Sequence, residues 1–442
     1  MIEKIVKQTE SLVKDFDVYF QETEINEVHL QKNEINFINK VYDSGYGIRV
    51  FNGGIGFSSS SNKSKDAIKT TVENAIRSSK ITHRVDFEFP KQGRYNKVEV
   101  IDKRIRKEES ALKYTQEIVQ NIPNDILLSF GKIRTYDTSI HIINSEGLDV
   151  KREETYFMIE LSLIAEKNGK RMEFWPHEFR RRLEDISMED IEKWIKIAKD
   201  QTIAIEPKTE KTTVIFSPSA VLDGLGSVLG SHSTGSSKVN GTTKLSPNEK
   251  IGDDKLTIIS DGLYPYGLGT SSFDDEGVPQ RKTPLIENGI FKGYVYDQFY
   301  SIKDGVESTG NGLKQSDVFF MINGKYLAQP SNQISNFFVQ GGDISFEEIV
   351  RETKNGVLIE QFSWLDPDPV TGKFSSEIRA GYYIRKGEIY EPIKGGLVIG
   401  NIFEMLKNIQ FISNKPIVCS GHNMFAGVCP YISFENLQVA GS

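Results

Sequence analysis

Two sharp turns, each set between short apolar runs, constrain the fold of this chain more than any other feature. Asn288-Gly289 lies within Thr283–Asp297, and Lys386-Gly387 lies within Ala380–Pro392. A glycine preceded by a second turn-forming residue favours the tight turns that join neighbouring antiparallel strands. The pattern therefore predicts two β-hairpins and a strand-rich C-terminal half.

The first half of the chain alternates helical patterns with short strand patterns. Apolar residues recur at helical spacing near the N-terminus, in Ser64–Ser79 and in Lys107–Gln120. Ser187 followed by Asp190 predicts a capping box at the start of another helix. Separate strands are predicted between the helices, for example at 17–22 and 27–31. We expect an α+β fold, with an N-terminal mixed sheet covered by helices and then a strand-rich C-terminal domain.

A polar connector predicts where the chain divides. Glu206–Thr212 contains Pro207 and four charged residues, a composition typical of a linker between domains. We therefore expect an N-terminal α+β domain at 1–205 and a C-terminal strand-rich domain at 213–442. A length of 442 residues is ample for two hydrophobic cores.

Charge and cysteine content narrow the function classes. The net charge is -7 and no dense basic stretch is present, which argues against direct binding of nucleic acid. The sequence contains no run of about 18 apolar residues, so no membrane span is expected. The only two cysteines, Cys419 and Cys429, suggest a reducing, cytoplasmic location.

Three consecutive acids form the longest run of acidic residues in the second half. Asp274, Asp275 and Glu276 run directly into Gly277. Burial that raised one carboxyl pKa would suit acid-base chemistry. Adjacent carboxylates are more often solvated, or they cap a turn before a glycine. Either reading leaves the motif without a catalytic task.

Several segments together resemble the TldD/PmbA family, whose members were named as modulators of DNA gyrase and later recognised as parts of a metalloprotease. The resemblance rests on Ser272–Asp297, Glu307–Gly312, Val398–Ile409 and Leu437–Gly441. Within it, four residues match the family's STG segment, for which the simplest explanation is a tight turn: Ser308, Thr309, Gly310 and Asn311. The resemblance implies a two-domain α+β subunit that dimerises and, with its partner, encloses a cavity for extended peptides. It also favours a structural or channel-lining role, rather than catalysis, for the motif Asp274–Gly277.

The metal motif of the catalytic members has no counterpart in this chain. Those members carry His-Glu-x-x-x-His on a helix early in the C-terminal half, which corresponds here to Thr213–Leu229. That segment contains no histidine, and Asp223 is its only potential ligand. A hydrolytic zinc site needs three protein ligands and one open position. The resemblance therefore implies a TldE (PmbA)-type subunit without catalytic residues or a metal of its own. It implies that a TldD-type partner supplies zinc, and that the isolated chain forms a homodimer.

Two alternatives stay open. Catalytic relatives supply a third metal ligand from a cysteine near the C-terminus, where this chain has Cys419, with His422 three residues later. Two ligands make a weak site, so an independent metallo- or thiol-hydrolase would use them together with Asp223 or Glu276. The other alternative is a homodimeric protein that binds peptides, or regulates a partner, without cleaving anything.

Overall fold

Long antiparallel strands dominate the N-terminal half of the molecule. The structure is a computed structural model that describes residues 1–314, 322–422 and 426–441. The elements of this half are α1 Ile2–Glu10, β1 Asp15–Gln31, β2 Glu34–Phe51, β3 Ile55–Ser60, α2 Lys65–Ile81, α3 Ser110–Asn121, β4 Ile126–Asn144, β5 Asp149–Lys167, β6 Lys170–Phe174, β7 His177–Arg180 and α4 Met188–Gln201.

These strands form one sheet in the order β3-β2-β1-β4-β5-β6, and β7 also pairs with β5. Helices cover one face, because apolar side chains alternate along each strand and point to that side. At the α1 and α2 end of the sheet, Val18 of β1 lies opposite Ile48 of β2, and both belong to a buried apolar cluster. The α4 end has its own cluster, which includes Ile159 and Ile195. The opposite face of the sheet contacts the C-terminal half.

The prediction of separate short strands near the N-terminus is wrong. The predicted strands at 17–22 and 27–31 are parts of the single strand β1. Its central residues Thr23 and Asn26, which resemble turn residues, pair with β2 on one side and β4 on the other. Hydrogen bonds to the two neighbouring strands therefore keep this part of the backbone extended, although its residue types suggested a turn. The capping box at α4 is confirmed, since Ser187 Oγ accepts from the Asp190 amide and the Asp190 carboxylate accepts from the Ser187 amide.

Short strands and loops make up most of the C-terminal half. Its elements are β8 Glu210–Phe216, α5 Pro218–Val221, α6 Ser227–His232, α7 Gly235–Val239, β9 Ile258–Asp261, β10 Lys282–Glu287, β11 Ile290–Phe291, α8 Gln298–Asp304, β12 Gly312–Lys314, β13 Pro330–Asn332, β14 Phe337–Val339, α9 Phe346–Thr353, β15 Asn355–Phe362, β16 Lys373–Arg385, β17 Glu388–Ile393, β18 Leu397–Asn401, α10 Ile402–Met405, β19 Ile409–Ile412, β20 Ile417–Cys419, β21 Gly427–Cys429 and β22 Ile432–Ala440.

Two larger sheets enclose the main apolar core of this half. One has the order β11-β10-β9-β14-β21-β20, and the other has β15-β8-β22-β18-β16-β17 with β19 beside β22. Both predicted hairpins are confirmed, as β10–β11 and β16–β17. Their central residues have positive φ, at 48° and 71° for Asn288-Gly289 and 53° and 78° for Lys386-Gly387. Positive φ at both positions is what a two-residue hairpin turn requires. The α+β class and the strand-rich C-terminal half are therefore confirmed.

The helix that follows β8 contains a widened turn. Between α5 and α6, Leu222–Gly226 forms a single π-helical turn, and the three pieces make one helical segment from Pro218 to His232. Ser227 Oγ donates to the carbonyl of Gly224 at 3.1 Å, inside that turn. Single π turns within α-helices are frequent at functional sites. Within the described ranges, no helix is long and apolar enough to span a membrane.

Candidate functional site

A cavity of about 1200 Å³ lies between the C-terminal half and the face of the N-terminal sheet that its helices leave uncovered. One wall consists of side chains from β4 and β5, and the other contains residues from α6, α7 and the loops around β12 and β13. A space of this size exceeds a typical small-molecule pocket and can hold several residues of an extended chain.

On the sheet side, the cavity is lined by alternate residues of two strands. From β5, every second residue faces it, namely Arg152, Glu154, Tyr156, Met158 and Glu160. From β4, the same is true of Phe130, Lys132, Arg134 and Tyr136. Because successive side chains of a strand point to opposite faces, the intervening residues pack on the helices instead.

Aromatic rings and two histidines form one end of the cavity. His422 stacks on the indole of Trp364, with ring centroids 4.8 Å apart. His177 and Phe179 lie nearby in the lining, with ring centroids 5.2 Å apart. Burial lowers the pKa of His177 to about 4, and burial also lowers the pKa of His422. Both imidazoles are therefore neutral at physiological pH and act as ring surfaces or hydrogen-bonding groups.

Asp274, the first of the three consecutive acids, caps a turn. Its carboxylate accepts from the backbone amides of Glu276 and Val278 at 2.9 Å each and from that of Gly312 at 2.8 Å. Gly277 has a φ of +90°, which a residue with a Cβ rarely adopts. Burial, reinforced by the neighbouring Glu276 carboxylate, raises the pKa of Asp274 well above its usual value.

The other two acids join the C-terminal half to the N-terminal sheet. Asp275 accepts from the guanidinium of Arg152 at 2.5 Å and from the Tyr19 hydroxyl at 3.2 Å. Glu276 accepts from Arg49 Nη1 at 2.6 Å. None of the three acids is more than 2% exposed, so they are not solvated. We call Asp274, Asp275 and Glu276, with Arg49, Arg152 and Tyr19, the acidic seam.

Opposing effects set the ionisation of Asp275. Burial acts to raise the pKa of this carboxyl, but the positive charges of Lys325 and Arg152 outweigh burial and lower the pKa to about 2. Glu154 on β5 behaves alike, because Arg152 and Arg181 overcome its burial and hold its pKa at about 2. These two carboxylates therefore stay ionised, and neither serves as a proton donor near neutral pH.

The second predicted motif packs directly on the acidic seam. The Asp275 amide donates to the carbonyl of Gly312 at 3.0 Å, beside the bond from Gly312 to Asp274. The preceding residues form the expected tight turn, with Gly310 at a φ of +74° and its amide donating to Ser308 Oγ at 3.3 Å. Two further side-chain bonds fix the turn: Thr309 Oγ1 to the Asn311 amide oxygen, and the Asn311 amide nitrogen to the carbonyl of Gln333. The structure thus brings together two motifs that lie more than thirty residues apart.

Cys419 and His422 lie beside the helical segment that follows β8. The Cys419 thiol, 3% exposed, contacts the carbonyl oxygen of Pro218 at 3.6 Å. Asp223 lies against Gly421, where an added Cβ would overlap its carboxylate. Cys429 is fully buried behind Cys419, and burial followed by the neighbouring thiol raises its pKa well above the usual value. The imidazole of His422 stacks on Trp364 at the cavity surface.

These donors do not fit the zinc that the family implies. Among residues 1–314, 322–422 and 426–441, no three His, Cys, Asp or Glu side chains group as ligands would. The helical segment Pro218–His232 offers one carboxylate, Asp223, and one imidazole, His232, which lie nine residues apart. A hydrolytic zinc site needs three protein ligands.

Several cavity residues were not singled out from the sequence. Arg152, Arg181, Lys314 and Lys325 lie in separate parts of the chain, and only folding places all four in the lining of one cavity. The alternation along β5 from Arg152 to Glu160 was the readable signal, since polar and large residues occupy every second position there. The partners of Arg152 at Phe273–Asp275 are too distant in sequence for any local pattern to reveal them.

Relatives of this chain extend over nearly its full length. An uncharacterised protein of Methanocaldococcus jannaschii is 27% identical over 419 residues, which are 92% of this chain and 93% of that protein. A metalloprotease PmbA homolog of Buchnera aphidicola is 24% identical and covers 100% of this chain and 96% of its own length. The crystal structure of TldE from Thermococcus kodakarensis superposes with a TM-score of 0.88 at 24% identity, covering all of both chains.

Family models match three consecutive parts of the chain. Residues 16–79 match PmbA/TldA metallopeptidase domain 1, and residues 96–205 match the PmbA/TldA metallopeptidase central domain. Residues 209–441, more than half of the chain, match the PmbA/TldA metallopeptidase C-terminal domain. The chain therefore belongs to the PmbA/TldD metallopeptidase family.

Proposed function

We propose that this chain is the non-catalytic, TldE-type subunit of a two-subunit metalloprotease that processes unfolded peptides. In this proposal, a TldD-type partner supplies the zinc ion and the general base. The present chain contributes part of the wall of the peptide cavity, and it forms a homodimer when isolated.

One observation carries the proposal. In the part of the chain that the structure describes, neither the helical segment Pro218–His232 nor any other region groups three His, Cys, Asp or Glu side chains as a metal site would. Beside this segment lies a cavity of about 1200 Å³ that suits an extended peptide. A chain with such a cavity but without a ligand set is suited to holding substrate rather than to activating water.

The acidic seam has a structural role in the proposed function. Asp275 and Glu276 bind the two halves of the subunit together, Asp274 caps the turn that carries them, and Gly312, next to the turn Ser308–Asn311, bonds to Asp274. We further propose that the halves correspond to domains at 1–205 and 213–442, and that the protein acts in the cytoplasm.

The test is a peptidase assay with measurement of bound zinc, on this chain alone and mixed with a TldD-type subunit that bears the metal motif. Activity and zinc are expected only in the mixture. Cys419→Ala is the informative variant, and the mixture containing it is expected to keep full activity. Zinc and turnover in the isolated chain, both lost in Cys419→Ala, would make the chain a hydrolase in its own right.

A further inference from the structure

One end of the cavity presents a tryptophan ring to solvent. We call Trp364, His422, His177 and Phe179, which all line the cavity, the aromatic end. Trp364 is 56% exposed, and the imidazole of His422 stacks on its indole at an interplanar angle of 24°. The stacked imidazole covers only part of the indole, so ring surface remains open to a ligand. Apolar surface left open inside a concave cavity is typical of a binding site.

Strand β7 brings two more rings to the same place. His177 and Phe179 lie two residues apart on β7 and therefore point to one face of the strand. The Phe179 amide donates to Ser420 Oγ at 3.2 Å, which holds β7 beside the segment that leads to His422. Burial lowers the pKa of His177 to about 4, and the nearby His422 adds to the lowering. The two pairs of rings therefore meet at one end of the cavity.

On the sheet side, the aromatic end lies next to apolar side chains of β5. Phe179 is the cross-strand neighbour of Met158, and both belong to an apolar cluster that includes Leu268. A thioether packs favourably against aromatic rings and adapts to their shape. The next cross-strand pair joins His177 and Glu160, which also lines the cavity. The carboxylate of Glu160 disfavours an acidic group at this end.

We infer that the aromatic end is a subsite for an aromatic side chain, phenylalanine or tyrosine, of a peptide bound in the cavity. Both imidazoles are neutral at physiological pH, so the rings offer contact surface rather than charge. An aromatic ring gains stacked or edge-to-face contacts beyond the burial of its area, whereas an aliphatic side chain gains burial alone. This inference rests on the proposed function, because it assumes that the ligand is a peptide.

Four peptides test the chemical class of the side chain. They are fluorescein-labelled, amidated peptides of Ala and Ser that differ at one central position, which is Phe, Leu, Ala or Glu. Fluorescence anisotropy with the full chain measures the dissociation constant of each. The Phe peptide is expected to bind at least about tenfold more tightly than the Ala peptide, with the Leu peptide between them. The Glu peptide is expected to bind no better than the Ala peptide.

Trp364→Ala is the variant of choice, because the exposed indole can be removed without opening the apolar core. It is expected to reduce the preference for Phe over Ala to less than about threefold. Tyr390→Ala removes a ring that is 57% exposed and lies outside the cavity lining, so it is expected to leave the preference unchanged. If Trp364→Ala does not fold by circular dichroism, the four peptides on the unaltered chain still decide the question.

Tryptophan emission reports direct contact with the bound ring. An unlabelled Phe peptide at saturating concentration is expected to shift the emission of the unaltered chain. Trp364→Phe keeps an aromatic ring, so it should retain the preference for the Phe peptide but lose the shift. A shift that persists in Trp364→Phe would come from Trp175 or Trp194 and would overturn the contact with Trp364.

Equal affinity for the Phe and Ala peptides, or a preference that survives in Trp364→Ala, would overturn the subsite but leave the proposed function intact. Failure of every peptide to bind would overturn the subsite as well. The mixed-subunit peptidase assay, run with a peptide that has no aromatic residue, decides the proposed function separately.

Discussion

The acidic seam and the Cys419–His422 region each contain the side chains from which active sites are built, but they differ in how those side chains are bonded. In the acidic seam, carboxylates meet arginines, a tyrosine and backbone amides, all of them buried. In the Cys419–His422 region, the thiol contacts one carbonyl and the imidazole stacks on an indole. Charged side chains that are fully bonded hold a structure together, whereas the Cys419 thiol and the His422 ring are held mainly by packing.

The largest expected effect comes from breaking an ion pair in the acidic seam. Arg152→Met would leave Asp275 and Glu154 buried without their main partner. Removing one member of a buried pair typically costs about 3–5 kcal/mol. We expect the free energy of unfolding to fall by that amount in urea denaturation at fixed protein concentration. Arg351→Met, which removes an exposed pair with Glu348, is the control and should change stability by less than about 1 kcal/mol.

A loss of stability in Arg152→Met no larger than in the control would show that the acidic seam does not join the two halves. The acidic seam would then differ from the Cys419–His422 region only in the arrangement of its side chains. The two regions would not differ in how much they contribute to the free energy of unfolding.

A glycine substitution tests the turn that supports the acidic seam. Gly310 has a φ of +74°, and a Cβ there would overlap the carbonyl oxygen of Pro279. Gly310→Ala is therefore expected to cost about 2–4 kcal/mol, from the left-handed backbone and the overlap together. Gly305 has a φ of +68° but open space around it, so Gly305→Ala should cost only about 1–2 kcal/mol. Thermal unfolding of both variants gives the difference, and equal costs would rule out close packing at Gly310.

The pH dependence of stability tests the burial of Asp297, which lies beside Glu276 and caps α8. Burial, together with the Glu276 charge, raises the pKa of Asp297 to about 7, whereas an unfolded aspartate ionises near about 3.9. Between these values the folded chain binds more protons than the unfolded chain. The contribution of this group to the free energy of unfolding therefore falls as pH rises from about 4 to about 7.

Asp297→Asn should remove that contribution while keeping the cap on the Tyr300 amide. Relative to the unaltered chain, the variant is expected to gain stability steadily between pH 4 and pH 7, measured by urea denaturation at several pH values. A constant difference between the two proteins over this range would show that Asp297 is not buried next to Glu276.

The smallest expected effect concerns the thiols. Cys419 is 3% exposed and Cys429 is fully buried, so a thiol reagent should reach neither in the folded chain. Ellman's reagent is expected to react only slowly with the native protein and with both thiols in guanidinium chloride. Rapid reaction of one native thiol, lost in Cys419→Ala, would show that Cys419 is accessible and would reopen a chemical role for this region.

Local patterns in the sequence were enough for the class of fold and several of its elements. The capping box at Ser187 and the hairpin turns at Asn288-Gly289 and Lys386-Gly387 involve residues a few positions apart, and all three are confirmed. The length of β1 was missed, because its backbone is satisfied by strands far away in the chain.

The candidate site was less predictable for the same reason. Asp275 bonds to Tyr19 and Arg152, which are more than a hundred residues away. Nothing next to Asp275 in the sequence shows that it is buried and paired. The charge of the cavity is likewise a sum over β5, β12 and several loops, so it appears only when the chain has folded.

The π turn at Leu222–Gly226 bears on which side of α6 lines the cavity. A π turn contains one residue more than an α-helical turn, so the residues that follow it are rotated by about 100° around the helix axis. Ser227, Gly230 and Ser231 of α6 line the cavity in this rotated setting. A single extra residue in the backbone thus decides which small side chains a bound ligand would meet.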